Sequence, residues 1–203
     1  FAFSFLHDTI VLRLVFNSIK TVQSYERLIG MKNSEKGNGA IIRCERFEYR
    51  MIGRLRFIGV DAWPNEEWDA LWARKEGFMP ALDELMSDFG SDISFDCAFM
   101  HHNGRDVDSE NHYLAGRFFK EGTPVPDGLD YYDVPTEQAA YAVYHINKFD
   151  GDIGAAYYYT RDQILSDGIG IPYPHSYWHA SVYLDGHPTV NACRLGYLFS
   201  IAK

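Results

Sequence analysis

The order of predicted secondary-structure elements repeats once along this chain, and that repeat limits its fold more than any other feature. Period-two alternation of apolar and polar residues predicts strands, and three- and four-residue spacing predicts helices. From residue 43 onward the order is strand, helix, strand, strand, and then the same order again. The sequence therefore predicts an α+β fold, in which two βαββ units related by a pseudo-twofold axis build one antiparallel sheet with two helices. The predicted strands cover residues 43–60 with a break near Gly53, 93–100, 112–119, 138–146, 177–184 and 194–201, and the predicted helices lie within residues 65–85, split by Gly77 and Pro80, and 153–165.

The N-terminal part of the chain differs from the rest. Its first thirty residues have the apolar spacing of a helix, and residues 31–39 are rich in Asn, Ser and Gly. We therefore expect a helical leader and linker over residues 1–36 and one domain over residues 37–203. The apolar opening segment 1–16 lacks a basic n-region and contains His7, Asp8 and Arg13, so it predicts neither a secretory signal nor a membrane span.

Charge and cysteine content narrow the possible partners and compartment. The net charge is −9, from 19 basic and 28 acidic residues; residues 1–36 carry a balance of +2, so the acidic excess lies entirely after residue 36. This balance disfavours binding of nucleic acid over the whole surface and is compatible either with cationic ligands or with simple solubility. Three cysteines without a C-x-x-C pair are typical of a reducing compartment, so we expect a cytoplasmic protein.

Motifs for cofactor or metal chemistry are missing from the sequence. It contains no Walker loop, no G-x-G-x-x-G and no G-x-S-x-G, so we assign no cofactor and no catalytic residue. His101, His102 and His112 match no zinc spacing. His175 and His179 have helical metal spacing but lie in a predicted strand, where they would be about 13 Å apart. We therefore expect no metal site.

Aromatic residues make up 16% of the chain, and several of them lie in motifs that resemble a known family. The matching segments are the run LDYYDVPTEQAAYAVY at 129–144, the tyrosines 157–159, SDGIG at 166–170, HASVYL at 179–184, residues 66–72 with two tryptophans, and HYLAG at 112–116. Together they resemble a GyrI-like domain, the effector-binding module of AraC- and MerR-type bacterial regulators, which also occurs as a free-standing drug-binding protein. The resemblance covers about residues 43–203.

The resemblance implies a ligand cleft between the two βαββ units, lined by aromatic rings that take planar amphipathic or cationic molecules. Many members have a central glutamate in the pattern Phe-Glu-x-Tyr. Here that position is Ser181, two residues before Tyr183. Because a serine cannot neutralise a buried cation, we expect a neutral or weakly polar ligand.

Strand alternation indicates which side chains reach this cleft. It places Tyr177, His179, Ser181 and Tyr183 on one face and the residues between them on the other. Packing at the edge of the core is the alternative for these residues. Six further candidates, each of which could instead be a core residue, are Trp68, Trp72, Tyr113, Tyr141, Tyr144 and Tyr157.

The resulting hypothesis is a small-molecule binding protein that acts as a ligand sensor or sequestering module. One alternative is a GyrI-like hydrolase of reactive small molecules, whose general base would be Asp96, Glu48 or His179. Another is an inhibitor whose acidic surface binds a DNA-handling protein, and a homodimer is also open. Residues 11–15 and 21–27 faintly resemble the end of an AraC-type helix-turn-helix but lack its glycine and proline, which disfavours direct DNA binding.

Overall fold

The computed structural model describes residues 43–63, 66–102, 111–146, 149–172, 177–186 and 193–202. The predicted N-terminal helix, the linker and the boundary between them and the domain lie outside these residues. The elements run in the order β1 (Arg43–Ile52), β2 (Leu55–Asp61), α1 (Trp68–Glu76), α2 (Met79–Phe89), β3 (Asp96–His102), β4 (Asn111–Lys120), β5 (Asp130–Val134), β6 (Glu137–Ile146), α3 (Phe149–Asp167), β7 (Ile171–Pro172), β8 (Trp178–Tyr183) and β9 (Cys193–Ala202).

The predicted duplication is confirmed. The strand order is β1-β6-β9-β8-β3-β4-β2-β5, every pairing is antiparallel, and β7 pairs with the end of β9. One βαββ unit is β2, α1 and α2, β3 and β4; the other is β6, α3, β8 and β9. The two units meet in the middle of the sheet, where β3 pairs with β8.

The two outer strands are exchanged between the units. β1 precedes the first unit but pairs with β6, and β5 precedes the second unit but pairs with β2. Only Gly53 and Arg54 separate β1 from β2, although five other strands lie between them in the sheet. Since two residues span only about 10 Å, the sheet has to curl to bring these ends together.

The curled sheet has an inner face and a helix face. The inner face encloses a hydrophobic cluster in which Phe57 and Phe99 stack with centroids 4.6 Å apart, and Phe99 also stacks on Trp178 at 5.6 Å. The helix face carries α1, α2 and α3, and Tyr144 of β6 is fully buried there with its hydroxyl 3.0 Å from Oγ1 of Thr160.

The structure differs from the predicted elements in two places. The break expected at Gly77 is present, since the first helical stretch is two helices separated by Gly77 and Phe78, but Pro80 does not interrupt the second of them; the described residues thus contain three helices. Pro80 lies in the first turn of α2, where its missing N–H leaves no hydrogen bond unmade. The short strands β5 and β7 were not predicted, because their pairing depends on distant strands.

None of the helices in the described part of the chain is long and apolar enough to cross a lipid bilayer.

Candidate ligand-binding site

The centre of the sheet presents one polar residue between two groups of rings. Alternation along β8 places Trp178, Ala180 and Val182 in the inner core, so that His179, Ser181 and Tyr183 point to the helix face. Ser181 is paired with Ala98 of β3 on one side and with Tyr197 of β9 on the other. Ser181 therefore lies beside the junction of the two units.

The first unit supplies the rings on one side of this junction. Trp72 of α1 packs edge-on against Tyr183 with centroids 5.2 Å apart. Trp68, one turn earlier, lies 5.7 Å from Trp72 and 5.1 Å from Tyr113 of β4. The spacing of four residues puts both tryptophans on the same side of α1, facing the sheet.

The second unit supplies the rings on the other side. Tyr157 of α3 lies 5.2 Å from His179 and 5.1 Å from Phe199, and His179 stacks on Phe199 at 5.4 Å. Burial raises the pKa of Tyr197, while a hydrogen bond with Ser181 acts in the opposite direction. Ser181 and Tyr197 thus form the polar centre of the site.

We call these residues the central aromatic cluster: Trp68, Trp72, Tyr113, Tyr157, His179, Ser181, Tyr183, Tyr197 and Phe199. Its floor is closed to solvent, with Ser181 at 8% exposure and Tyr183 at 2%. Trp68, Tyr113 and Tyr157 are only half-buried and form the rim. The Ser181–Tyr197 pair therefore lies at the closed floor of the cluster, and the three half-buried rings lie nearer to solvent.

Two of the predicted site tyrosines lie apart from this cluster, and a third lies at its edge. Tyr144 is buried beneath α3, and its ring packs edge-on against Tyr197 of the cluster with centroids 6.4 Å apart. Tyr141 packs against the inner core and lies under the guanidinium of Arg50, which is 4.6 Å from its ring centroid. The predicted alternation also fails at Tyr177: this residue precedes β8, so it does not share the face of His179 and packs against the inner core instead.

Tyr197 and Phe199 were missed by the sequence reasoning. Their strand was predicted, but β9 is buried on both faces from Leu195 to Ile201, so its composition does not show which residues share a face with Ser181. Only the pairing of Ser181 with Tyr197 reveals it.

A charged network lies next to the first group of rings. Asp96 of β3 accepts hydrogen bonds from Lys75 at 2.5 Å and from Arg117 at 2.6 Å, and Arg117 also binds Asp83. The Lys75 side chain is fully buried. Burial of Asp96 would raise its pKa, but the hydrogen bonds from the two cations outweigh this and lower it. The negative charge of Asp96 is thus balanced by Lys75 and Arg117.

Of the three candidate general bases for the hydrolase alternative, one lies within the central aromatic cluster. Asp96 is held by its two cations, and Glu48 lies on β1, outside the cluster, where it accepts a hydrogen bond from Arg46 at 2.7 Å. His179 lies within the central aromatic cluster. No group of three or more metal-ligating side chains occurs among the described residues.

Two solved structures of other proteins have a similar fold. The chain is similar to EcmrR in a cryo-EM structure of its complex with DNA, with a TM-score of 0.55 and 10% identity over 95% of this chain and 69% of that one. It is also similar to SAV2435 bound to tetraphenylphosphonium, with a TM-score of 0.50 and 11% identity over 77% of this chain and 94% of that one. The resemblance to GyrI-like effector-binding domains of MerR-type regulators is thereby confirmed at the level of the fold.

The chain is also similar to a curated protein. It is 26% identical over 125 residues to the transcriptional regulator BrlR of Pseudomonas aeruginosa. The alignment covers 61% of this chain and 44% of BrlR, so the match spans less than half the length of that regulator. No protein-family model matches the sequence.

Proposed function

We propose that the central aromatic cluster binds a planar, neutral or weakly polar small molecule, and that the chain acts as a ligand sensor or sequestering module. The observation that carries this proposal is that rings of α1 and α3 pack against Tyr183 and His179, the two residues that flank Ser181 on its face of β8. Aromatic faces stack on planar ligands, and a few polar groups at the base of a site fix their orientation. The relation to BrlR and the ligand-bound structure of SAV2435 support a role in binding small molecules.

The preference for a neutral ligand follows from the charges around the cluster. Lys75, Asp96, Arg117 and Asp83 neutralise one another, and Ser181 supplies only a hydroxyl. A cation that entered this site would lose its hydration without gaining a carboxylate, which is costly. Ring faces alone would return about 0.5 to 2 kcal/mol per contact. A neutral ring system with one hydrogen-bonding group avoids this cost.

The compartment is part of the same proposal. Cys44, Cys97 and Cys193 form no disulfide, which suits a protein of the reducing cytoplasm.

A ligand screen tests the proposed site. Purified protein is titrated with planar aromatic compounds in matched pairs, one neutral and one cationic, and the melting temperature is measured. A ligand that binds only the native state raises this temperature by mass action. We expect the neutral members to give the larger shifts, and Ser181→Trp to abolish them by filling the floor of the cluster.

The matched control is Ser87→Trp, which adds the same ring at an exposed position of α2. It should respond to ligand like the unmodified protein. Equal losses in both variants would contradict the proposed location, and conversion of a bound compound to product would favour the hydrolase.

A further inference from the structure

Two arginines of the edge strand β1 lie beside the same tyrosine. Arg46, Glu48 and Arg50 alternate along β1 and so share one side of it, and Glu48 is paired with Tyr141 of β6. Tyr141 packs against the inner core, which places these side chains on the inner face of the sheet. The guanidinium carbon of Arg50 lies 4.6 Å from the centroid of the Tyr141 ring, and that of Arg46 lies 5.6 Å from it. Two positive charges therefore meet at one ring.

Arg50 has no hydrogen-bonded acceptor among the described residues. Its Nε is enclosed by protein atoms and meets no hydrogen-bond partner there. Its ion pair with Asp92 is long, at 3.9 Å from Nη1 to Oδ2, which exceeds hydrogen-bond distance. The Asp92 side chain is 76% exposed, whereas that of Arg50 is only 26% exposed. A largely buried guanidinium without a close acceptor is unfavourable by itself, and a bound anion would remove this cost.

The carboxylate of Glu48 does not take this role. It accepts a hydrogen bond from Arg46 at 2.7 Å, and no ion pair joins it to Arg50 in the part of the chain that the structure describes. Burial raises the pKa of Tyr141, while the positive charges of Arg50 and then of Arg46 act in the opposite direction. Arg50 is thus the stronger of the two charges at this ring, and it lacks a close counter-ion.

The chemistry of this group favours the carboxylate of a small organic acid. A carboxylate can accept two parallel N–H bonds from one guanidinium, and such charge-assisted bonds are short and strong. Glu48 and Asp92 would repel a second negative charge, and the chain's net charge of −9 would repel a polyanion such as nucleic acid. The half-buried ring of Tyr141 offers apolar surface to the organic part of the ligand.

We infer that Arg50, stacked on Tyr141, binds the carboxylate of a small monocarboxylic acid, and that Arg46 adds positive charge beside it. This site lies on the inner face of the sheet, whereas the central aromatic cluster lies on the helix face, so either site can be present without the other. Glu48 weakens the binding, because it lies between the two arginines along the strand.

The test is a titration with sodium butyrate followed by the arginine Nε–H resonances in ¹H–¹⁵N spectra, assigned by single Arg→Lys replacements. The Arg50 resonance should shift in a saturable way. Arg54, an exposed arginine paired with Glu121, is the internal reference and should respond with at least about tenfold weaker affinity. Butyramide, the neutral isostere, should leave the Arg50 resonance unchanged, because it lacks the charge that the guanidinium attracts. The indole resonance of Trp72 should not move, which separates this site from the central aromatic cluster.

Three variants locate the site by calorimetric titration with butyrate. Arg50→Gln should lose the binding, and Glu48→Gln should bind about threefold more tightly, because it removes a repulsive charge. Arg54→Gln is the matched control and should bind like the unmodified protein.

Four results would overturn the inference: equal responses to butyrate and butyramide, inorganic phosphate that binds as tightly as butyrate, unaltered binding by Arg50→Gln, or no gain in affinity for Glu48→Gln. If Arg50→Gln did not fold, the comparison of butyrate with butyramide at the Arg50 resonance of the unmodified protein would still decide the question.

Discussion

At the scale of single residues, the character of the central site depends on position 181. Ser181 is 8% exposed and is hydrogen-bonded with Tyr197, so the floor of the site is polar but uncharged. The rings around it would accept either a neutral or a cationic planar molecule. The side chain at this one position should therefore decide which of the two binds.

Replacing Ser181 by Glu should reverse the ligand preference. A carboxylate at the floor would neutralise a bound cation, and we expect affinity for planar cations to rise by about tenfold, or roughly 1.4 kcal/mol. Calorimetric titration with a matched cationic and neutral pair measures this change. Ser181→Gln is the control, since it adds similar bulk without charge. A cation that bound both variants equally would show that charge at this position does not set the preference.

At the scale of elements, buried charges join α1 to the sheet. Lys75 of α1, Asp96 of β3 and Arg117 of β4 are linked by hydrogen bonds of 2.5 and 2.6 Å. Removal of one partner from such a network leaves the other charge buried and unpaired, which is strongly destabilising. The position of α1, and with it of Trp68 and Trp72, therefore depends on the ion pairs of Lys75, Asp96 and Arg117.

This network predicts a loss of stability in acid. The pKa of Asp96 is lower in the folded protein than in the unfolded chain, so the unfolded chain binds its proton first as the pH falls. The contribution of Asp96 to the free energy of unfolding is complete above the ordinary aspartate pKa of about 4. It should decrease as the pH falls below that value, through the folded pKa.

Urea unfolding between pH 2 and 7 measures this dependence, with Asp96→Asn as the comparison. The variant should be less stable at pH 7 by about 3 kcal/mol, because Lys75 remains buried without its carboxylate. Its stability should also fall less steeply below pH 4. Parallel curves for the two proteins would show that Asp96 does not contribute to the acid dependence.

The contact between β2 and β4 requires glycine. A Cβ on Gly116 would lie 2.0 Å from the carbonyl oxygen of Ile58 and 2.5 Å from Cα of Gly59, which are both backbone atoms. Gly116→Ala should therefore separate the two strands and lower the free energy of unfolding by about 2 kcal/mol or more.

Chemical denaturation measures the effect, and Gly154→Ala provides the control. Gly154 lies in α3, and a Cβ there would meet only open space, so alanine should stabilise the helix by up to about 1 kcal/mol. A tolerated Gly116→Ala would mean that β2 and β4 can move apart without cost.

At the scale of the whole molecule, the exchange of β1 and β5 makes the two βαββ units interdependent. β1 precedes the first unit along the chain but pairs with β6 of the second unit. β5 precedes the second unit but pairs with β2 of the first. The inner core also draws on both units, since it contains Phe57 and Phe118 together with Trp178 and Leu198. Neither unit can lose its structure without exposing apolar surface of the other.

The residues of the described sheet should consequently unfold in one transition. Indole resonances of Trp72, in the first unit, and Trp178, in the second, should disappear at the same urea concentration. Two separate midpoints would contradict this and would show that the units are stable independently.

The order of the elements other than β5 and β7, the duplication and the shared orientation of His179, Ser181 and Tyr183 could all be predicted from the sequence. These features depend on local periodicity, because a strand or helix with one buried side repeats its apolar residues at a fixed spacing. The GyrI-like fold followed from motifs of the same local kind.

The tertiary structure alone decided which residues meet across the sheet. It brought Tyr197 to Ser181 and Phe199 to His179, packed Tyr141 and Tyr177 against the inner core, and exchanged β1 with β5. It also paired Asp96 with Lys75 and Arg117. Each of these results depends on strand register and on pairing between segments far apart in the chain, and the spacing of residues within one segment carries no information about its partner.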